Sequence, residues 1–530
     1  MESPPGPSDV IKSEPTSAVA DDARPGSASG DAYLLTSNID LEQLDLYQEG
    51  GYHPVHIGDK LGTQGRYQVL HKLGQGGFGT VWLCSDQTTR KYVALKIHIS
   101  CIAEDRLFDL RVAGLEWSSP GREYIAVPTD HFIVTGPNGK HQCLVLPVFG
   151  SPVAPDLWRT LPEGTDGWLV RLHVALQATQ AMGFLHRHKI CHGDFRPANI
   201  LIHLQSFDHL GKDELLSLLG PPARSEVRTR SGNKPSKSFP EYLVYPAELS
   251  RLTSQYMSGK ICVIDFGEAY FFSTPPELLG IADSYLPPEE LVVLDLTGEQ
   301  DSSDAAKDDD CAGNSDAHEG SPSRQPQQSL SRKPGTHRPV KGPAHDMWAL
   351  GCTLFEIMVQ IPLFYMIQDR DELLAEMVRL FGKFPDPLWD QWKARKDWFD
   401  DHGKWLRRGH ISLEKYLALP RDKRDDSRRT GLPEDLQGEM AHLLRRILRY
   451  EPEARASAEQ LCPDELVRIL DKNLEDRGVK TAAAGPSSPS AALSFEWLLE
   501  SSSPSEVIQQ RDDDVPQSEG SSACAGPVHP

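Results

Sequence analysis

The sequence predicts an α+β protein built from two unlike lobes, and three observations support this prediction. Strand-like alternation runs through residues 52 to 150, as in RYQVLHKL, GTVWLCSD and KYVALKIHI. After residue 165 apolar residues recur at helical spacing, as in WLVRLHVALQATQAMGFLHRH. The 530 residues with 39% hydrophobic content are enough to bury a sizeable core. We therefore expect an antiparallel five-stranded sheet with one helix, followed by a mostly helical lobe.

Four segments lack any apolar period and divide the chain. Residues 1–50 and 478–530 are rich in Pro, Ser and Gly, and we expect both to be disordered tails. The N-lobe then spans 51–150 and the C-lobe 151–470. We expect two insertions within the C-lobe, a spacer at about 203–257 and a disordered acidic, Ser-rich segment at about 297–342.

Composition narrows the class of protein. The nine cysteines follow no metal-ligand spacing, so neither a disulfide framework nor a zinc site is expected. The formal charge of -21 argues against non-specific nucleic-acid binding and suits a basic protein partner. No stretch approaches the roughly 18 apolar residues of a membrane span, and the N-terminus does not resemble an export signal.

The stretch LGQGGFGTVWL carries three glycines in G-x-G-x-x-G spacing. Glycine lets backbone N–H groups approach phosphate oxygens closely. Alone the pattern is weak, because a hairpin turn or a dinucleotide-binding loop could also carry it, but the strand that follows favours a flap between two strands. The candidate nucleotide-binding residues are Leu73, Gly74, Gln75, Gly76, Gly77, Phe78, Gly79, Thr80 and Val81.

A lysine ends the next alternating run, VALK. By itself Lys96 could be a surface lysine, but after the glycine loop it is a candidate for gripping α- and β-phosphates. Such a lysine needs a carboxylate on the next helix to hold it. By position we choose Asp109, with Glu104 and Glu116 as rivals.

CHGDFRPANIL brings three polar side chains onto one loop. Asp194 can orient an acceptor hydroxyl and take its proton, Asn199 can hold Mg²⁺ through its amide oxygen, and Arg196 can place a positive charge near a transferring phosphoryl group. A capping turn would explain these residues singly. It would not explain KICVIDFGEA, in which Asp265 follows an apolar strand and can bind the same metal.

In this order the motifs resemble those of eukaryotic protein kinases, over about residues 52 to 470. SYLPPEEL is similar to the family's Ala-Pro-Glu segment. In HDMWALGCTLFEI, the resemblance implies that Asp346 holds the backbone of the catalytic loop. It also implies that Arg455 pairs with Glu289.

The opening YHPVHIGDKLGTQGRYQVLHKLGQGGFGTVWL resembles the SR-protein-specific kinase family, of which the chain looks like a divergent, fungal-type member. The resemblance implies a non-specific serine/threonine protein kinase that uses ATP and Mg²⁺. Its expected substrates are basic Arg/Ser-rich proteins, in mRNA processing and regulation of the spliceosome, with no direct contact to nucleic acid or membrane. We expect a monomer in cytoplasm and nucleus. Adenine would bind backbone groups of Pro147 and Phe149, the first of which lacks only an N–H.

Two alternatives remain. An ATP-binding pseudokinase scaffold is possible, since Asp109, Arg196 and Gly193 all depart from the usual pattern. Gly193 stands where most protein kinases carry an arginine that binds a phosphorylated activation loop, so its presence implies regulation by another route. A small-molecule phosphotransferase also uses His-Gly-Asp, but it lacks the Pro-Pro-Glu segment and the helix around Asp346.

Overall fold

The computed structural model describes the two predicted lobes but not the whole chain. The described residues are 40–102, 107–116, 118–154, 157, 167–229, 233–297, 341–407, 412–418, 432–461, 466 and 468. The predicted C-terminal tail at 478–530, residues 1–39 of the N-terminal tail and nearly all of the 297–342 insertion lie outside them.

The N-lobe is built on one antiparallel sheet. Its strands are β1 (Lys60–Leu61), β2 (Tyr67–Gly76), β3 (Gly79–Asp86), β4 (Tyr92–His98), β5 (Asp130–Gly136) and β6 (Gly139–Leu146). Their order is β1-β2-β3-β4-β6-β5. The five predicted strands are present, and the two-residue β1 adds a sixth at the edge. Among the described residues of this lobe, the α-helix is α1 (Phe108–Ala113), which spans six residues.

Alternation along the strands explains the two faces of this sheet. On β3, Trp82 and Cys84 pack in a cluster on one side, while Leu83 belongs to the main core on the other. Successive side chains of a strand point to opposite faces, so this sheet is covered on both sides.

The C-lobe is mostly helical around one large core. Its helices outside the 203–257 insertion are α2 (Gly167–Arg187), α5 (Pro288–Thr297), α6 (Pro343–Val359), α7 (Arg370–Phe381), α8 (Asp386–Gln391), α9 (Leu413–Leu417) and α10 (Glu434–Ile447). The C-lobe also contains short strands: β7 (Phe149–Pro152), β8 (Ile190–Cys191), β9 (Ile200–Leu204), β12 (Met257–Val263) and β13 (Tyr270–Phe271). Nearly every residue of α2 and α6 is buried, because other elements surround both helices. The predicted bilobal α+β fold is confirmed.

The spacer and the end of the N-terminal segment are folded. The 203–257 insertion contains α3 (Lys212–Leu219), β10 (Arg224–Glu226), β11 (Tyr242–Val244) and α4 (Ser250–Tyr256). Residues 40–50, expected to be disordered, bury Leu41, Leu44 and Tyr47. That expectation was wrong because these apolar residues show no period within their own segments. Leu41, Leu44 and Tyr47 are buried because they pack against Val227 and Leu243 of the insertion, and because this segment lies against strand β2 of the N-lobe sheet.

Within the described residues, every helix is too short or too polar to cross a membrane.

Candidate active site

The glycine-rich loop connects β2 to β3, and Gly76 pairs with Gly79 at its tip. A Cβ at Gly74, Gly76 or Gly77 would meet no atom within 4 Å, so the space beside these residues is open. Gly79 has a different role, because its φ is +155° and a Cβ there would lie 2.2 Å from the carbonyl oxygen of Ile97. Only glycine allows β3 to approach β4 this closely. The loop fits phosphate groups next to its backbone.

The tip of the loop reaches the start of the activation segment. A Cβ at Gly267 would lie 2.9 Å from the ring of Phe78, so the ring packs against that glycine. The Phe78 carbonyl also accepts a hydrogen bond of 3.1 Å from the Ile99 N–H. The other predicted residues of the loop lie along the same hairpin: Leu73, Gln75 and Val81 are partly exposed, and Thr80 is buried.

Lys96 and Asp265 form the ion pair of the cleft. Lys96 Nζ donates to Asp265 Oδ1 at 2.8 Å, and Lys96 lies opposite Val81 of the glycine-loop hairpin. Burial opposes the charge on both groups, yet the lysine holds the pKa of Asp265 below its usual value, and the carboxylates of Asp265 and Asp109 raise the pKa of Lys96. Both groups are therefore charged at neutral pH.

Asp109, the predicted partner of Lys96, lies on α1 and is buried. Burial raises its pKa, and Lys96 opposes that shift through space. Among the described residues, however, the ion pair of Lys96 is with Asp265 alone. Of the two rivals, Glu116 is exposed and accepts a hydrogen bond from Ser118, and Glu104 lies outside the described residues. The role of Asp109 as the lysine's direct partner stays a prediction.

The catalytic loop holds Asp194, Arg196 and Asn199 together. Asn199 Nδ2 donates to the Asp194 carbonyl and to Asp194 Oδ2, both at 2.8 Å. Arg196 Nε donates to the same Oδ2 at 3.1 Å. Asp194 Oδ1 is buried and accepts no hydrogen bond from the described residues, although Arg196 Nε lies 3.1 Å from this oxygen too and stabilises its negative charge. A buried carboxylate oxygen without a donor is suited to accept a proton from an incoming hydroxyl.

Asp346 binds the backbone of this loop through its carboxylate, as the family resemblance implied. Its Oδ2 accepts from the His192 N–H at 2.7 Å, and its Oδ1 accepts from the Gly193 N–H at 3.0 Å. His186 Nε2 lies 3.1 Å from Oδ2. Burial opposes ionisation of Asp346, but His186 and these N–H groups hold its pKa below the usual value. The charged carboxylate therefore fixes the loop backbone.

Gly193 cannot be replaced by another residue without strain. Its φ is +81°, and a Cβ would lie 2.2 Å from the carbonyl oxygen of Glu268 in the activation segment. Segment and loop also pair through β13 and β8, with Tyr270 opposite Cys191. The glycine thus permits a close contact between the two backbones.

The candidate metal ligands lie at the ends of adjacent strands. Val263 of β12 pairs with Ile200 of β9, and the Ile264 N–H donates to the Asn199 carbonyl at 2.9 Å. Asp265 follows with φ +64°, which few residues other than glycine adopt. Its carboxylate and the Asn199 amide oxygen are the hard oxygen donors that Mg²⁺ prefers, so these residues fit that ion.

The hinge connects the two lobes at the end of β6. Pro147 is exposed between β6 and β7, and Phe149 is buried as the first residue of β7. The 203–257 insertion touches the hinge, because Thr253 Oγ1 accepts a hydrogen bond of 2.8 Å from the Ser151 N–H. A Cβ at Gly150 would lie 2.7 Å from the same hydroxyl. No sequence signal pointed to Thr253.

Arg455 and Glu289 form the predicted ion pair. Arg455 Nη1 and Nη2 donate to the two carboxylate oxygens of Glu289 at 2.7 and 2.6 Å. The guanidinium also lies over the Trp348 ring of α6, 5.2 Å from its centroid. The pair holds the start of α5 on the C-lobe core.

Sequence reasoning missed Tyr52, whose hydroxyl donates to the Gly76 carbonyl of the glycine-rich loop at 2.9 Å. The residue stands at the head of the YHPV stretch that carried the resemblance. That stretch was the one available signal, but it gives no contact partner.

Several proteins share sequence with this chain. SRSF protein kinase 3 of Homo sapiens is 38% identical over 177 residues, which cover 32% of this chain and 31% of that protein. Protein kinase dsk1 of Schizosaccharomyces pombe is 32% identical over 209 residues, 38% of this chain and 37% of that protein. The chain thus matches about a third of the length of each. Serine/threonine-protein kinase SRPK of Physarum polycephalum is 28% identical over 443 residues, 79% of this chain and 89% of that protein.

One solved structure, the kinase domain of PF14_0431, aligns with a TM-score of 0.45 at 18% identity, covering 78% of this chain and 98% of that one. No protein-family model matches the chain.

Proposed function

We propose that this chain is an SRPK-like protein kinase, and that it transfers the γ-phosphate of ATP to serine and threonine hydroxyls of Arg/Ser-rich proteins. One observation carries this proposal. Four side chains from three distant parts of the chain meet in one cleft, where Lys96 pairs with Asp265 at 2.8 Å and Asn199 donates to Asp194 at 2.8 Å.

Each of these residues has a distinct task in the proposed reaction. Asp194 Oδ1 accepts the proton of the substrate hydroxyl as its oxygen bonds to the γ-phosphorus. The bond between that phosphorus and the β–γ bridging oxygen breaks, and ADP leaves. Arg196, which donates to Asp194 Oδ2, places a positive charge next to the reacting groups.

Nucleotide binding uses the N-lobe side of the cleft. Lys96 holds the α- and β-phosphates, and the open backbone at Gly74, Gly76 and Gly77 covers them. The backbone of Pro147 and Phe149 receives the adenine. Asp265 and Asn199 would hold Mg²⁺, which neutralises phosphate charge when it is bound.

The substrate class follows from charge and from the relatives. The formal charge of -21 favours encounter with a basic protein and disfavours nucleic acid. The human relative is named SRSF protein kinase 3, which agrees with a substrate of the Arg/Ser-rich class. We further propose a monomer, without direct contact to nucleic acid or membrane, that acts in cytoplasm and nucleus in mRNA processing.

Phosphorylation of an Arg-Ser repeat peptide with Mg-ATP by the full chain tests this function. We expect incorporation by the wild type and a fall of about 10³-fold or more in Asp194→Asn, because the proton acceptor is lost. Asp397→Asn removes an exposed carboxylate and is the matched control, with activity unchanged.

The result also separates the two alternatives. No incorporation by the wild type, together with a rise in melting temperature on adding nucleotide, would identify a pseudokinase scaffold instead. A small cationic acceptor that outcompetes the peptide would identify a small-molecule phosphotransferase.

A further inference from the structure

Residues 40–52, which we name the strap, contact the glycine-rich loop at two points. Gln75 Nε2 donates to the Asp40 carbonyl at 2.9 Å, and the Tyr52 hydroxyl donates to the Gly76 carbonyl at 2.9 Å. These contacts lie on the two residues that precede the exposed turn of the loop. Both ends of the strap are therefore attached to the part of the hairpin that must cover phosphate groups.

The strap is held in place by a buried ion pair. Lys72 of β2 donates to Glu42 Oε2, and the side chains of both residues are 0% exposed. The Tyr47 hydroxyl donates to the other oxygen, Glu42 Oε1, at 2.8 Å. Removing one member of such a pair leaves an uncompensated charge in the interior, which is strongly unfavourable. Displacement of the strap from β2 would separate Glu42 from Lys72, so this contact fixes the position of the strap on β2.

The 203–257 insertion covers the strap from outside. Four apolar residues of the strap and two of the insertion form one cluster: Leu41, Leu44, Tyr47, Tyr52, Val227 and Leu243. Asn138, between β5 and β6 of the N-lobe sheet, connects to both the strap and the insertion, since its Nδ2 donates to the Tyr52 carbonyl at 2.7 Å and to the Ser238 carbonyl at 2.8 Å. The insertion leaves and re-enters the C-lobe and contacts the hinge through Thr253. A continuous set of contacts thus connects the hinge, the insertion, the strap and the glycine-rich loop.

We propose that the strap positions the glycine-rich loop for ATP, with Tyr52 as the positioning residue and the insertion as the element that holds the strap down. The loop's own glycines supply no side chains to restrain its tip, and an external hydrogen bond reduces the number of conformations it samples. This inference rests on ATP binding in the proposed function. It gives the insertion an effect on nucleotide affinity, although the insertion lies outside the cleft.

Tyr52→Phe in the full chain tests the proposal. The substitution keeps the ring that packs edge-on against Tyr47 and removes only the hydroxyl. We expect the Kd of Mg-ATP, measured by titration, and the KM for ATP to rise about 2- to 10-fold, the effect of one neutral hydrogen bond. The KM for the peptide should stay at its wild-type value, and the melting temperature should fall no further than in Tyr92→Phe, which loses a bond of the same type.

Tyr92→Phe is the matched control. The Tyr92 hydroxyl donates to the Leu210 carbonyl at 2.9 Å, so this bond has the same length and type as that of Tyr52. It joins the N-lobe to the insertion and does not involve the glycine-rich loop. This variant should bind ATP as the wild type does. Equal ATP affinity of the wild type and Tyr52→Phe, or an equal loss in both variants, would overturn the proposal.

A second pair of variants tests the ion pair. Glu42→Gln leaves Lys72 buried without its counter-charge, so we expect a larger loss of ATP affinity than in Tyr52→Phe. Adding Lys72→Met removes that charge, and Gln can still accept from Tyr47, so the double variant should regain most of the affinity. Absence of this rescue would show that the strap does not control the loop.

The outcomes are distinguishable from failure of the proposed function. A wild type that binds ATP but does not phosphorylate the peptide would refute the kinase function while the titrations still decide the role of Tyr52. A wild type that binds no nucleotide would overturn both.

Discussion

Gly193→Ala should lower kcat more than its loss in free energy of unfolding alone would explain. The φ of +81° costs a residue with a Cβ about 1–2 kcal/mol. In addition, the new Cβ would lie 2.2 Å from the Glu268 carbonyl oxygen, whereas an ordinary contact begins at 3.4 Å. The two backbones must therefore separate by roughly 1 Å. The displaced residue lies directly before Asp194, whose position the reaction depends on.

A misplacement of about 1 Å in a reacting group can lower the rate about 10²-fold. We therefore expect the kcat of Gly193→Ala for peptide phosphorylation to fall by about 10- to 100-fold, with a loss of about 1–3 kcal/mol in the free energy of unfolding. Arginine at this position adds the same Cβ, so Gly193→Arg should not restore control by a phosphorylated activation loop. Steady-state kinetics and urea denaturation measure the two effects.

Gly58→Ala separates the two causes. The φ of Gly58 is +97°, but a Cβ there would meet no atom within 4 Å. This variant should lose stability with wild-type kcat. If Gly193→Ala retained wild-type kcat and lost no more stability than Gly58→Ala, the contact with Glu268 would not constrain the catalytic loop, and the reasoning would be refuted.

Two further predictions concern stability. Arg455→Lys should lower the free energy of unfolding in urea by about 1–3 kcal/mol, because the buried guanidinium donates to both oxygens of Glu289 and lysine cannot. The exposed pair of Arg445 with Glu414 is the control, where the same exchange should cost less than about 1 kcal/mol, and equal losses would contradict the argument. Burial, and then the neighbouring His141, lowers the pKa of His53 to about 4. An unfolded histidine has a pKa of about 6.5, so between that pH and the folded pKa only the unfolded chain binds a proton at this side chain. The contribution of His53 to the free energy of unfolding is therefore fully present above about pH 6.5. It falls by up to about 1.4 kcal/mol per pH unit as the pH decreases toward the folded pKa. His53→Gln should flatten this slope and His131→Gln, at an exposed position, should not; an unchanged slope in His53→Gln would exclude His53 as its cause.

Local sequence determined the elements and most of the cleft residues. Strand alternation and helical spacing depend on neighbours a few positions apart, and the motifs around Lys96, Asp194 and Asp265 are short and ordered along the chain. The pairing of Arg455 with Glu289, and the anchoring by Asp346, were predicted from a family resemblance and found in the structure. In these cases the pattern itself carries the information.

Tertiary structure alone decided the contacts between segments far apart in sequence. Glu42 pairs with Lys72 thirty positions away, and the Ile57 N–H donates to the Tyr242 hydroxyl across 185 positions. The strap and the insertion have too few apolar residues in a regular period to predict burial, and each is folded because the other and the N-lobe sheet cover it. Likewise the ion pair between Lys96 and Asp265, which are 169 positions apart, has no signal in either local motif. Periodicity describes one segment at a time, whereas burial and pairing depend on where segments meet.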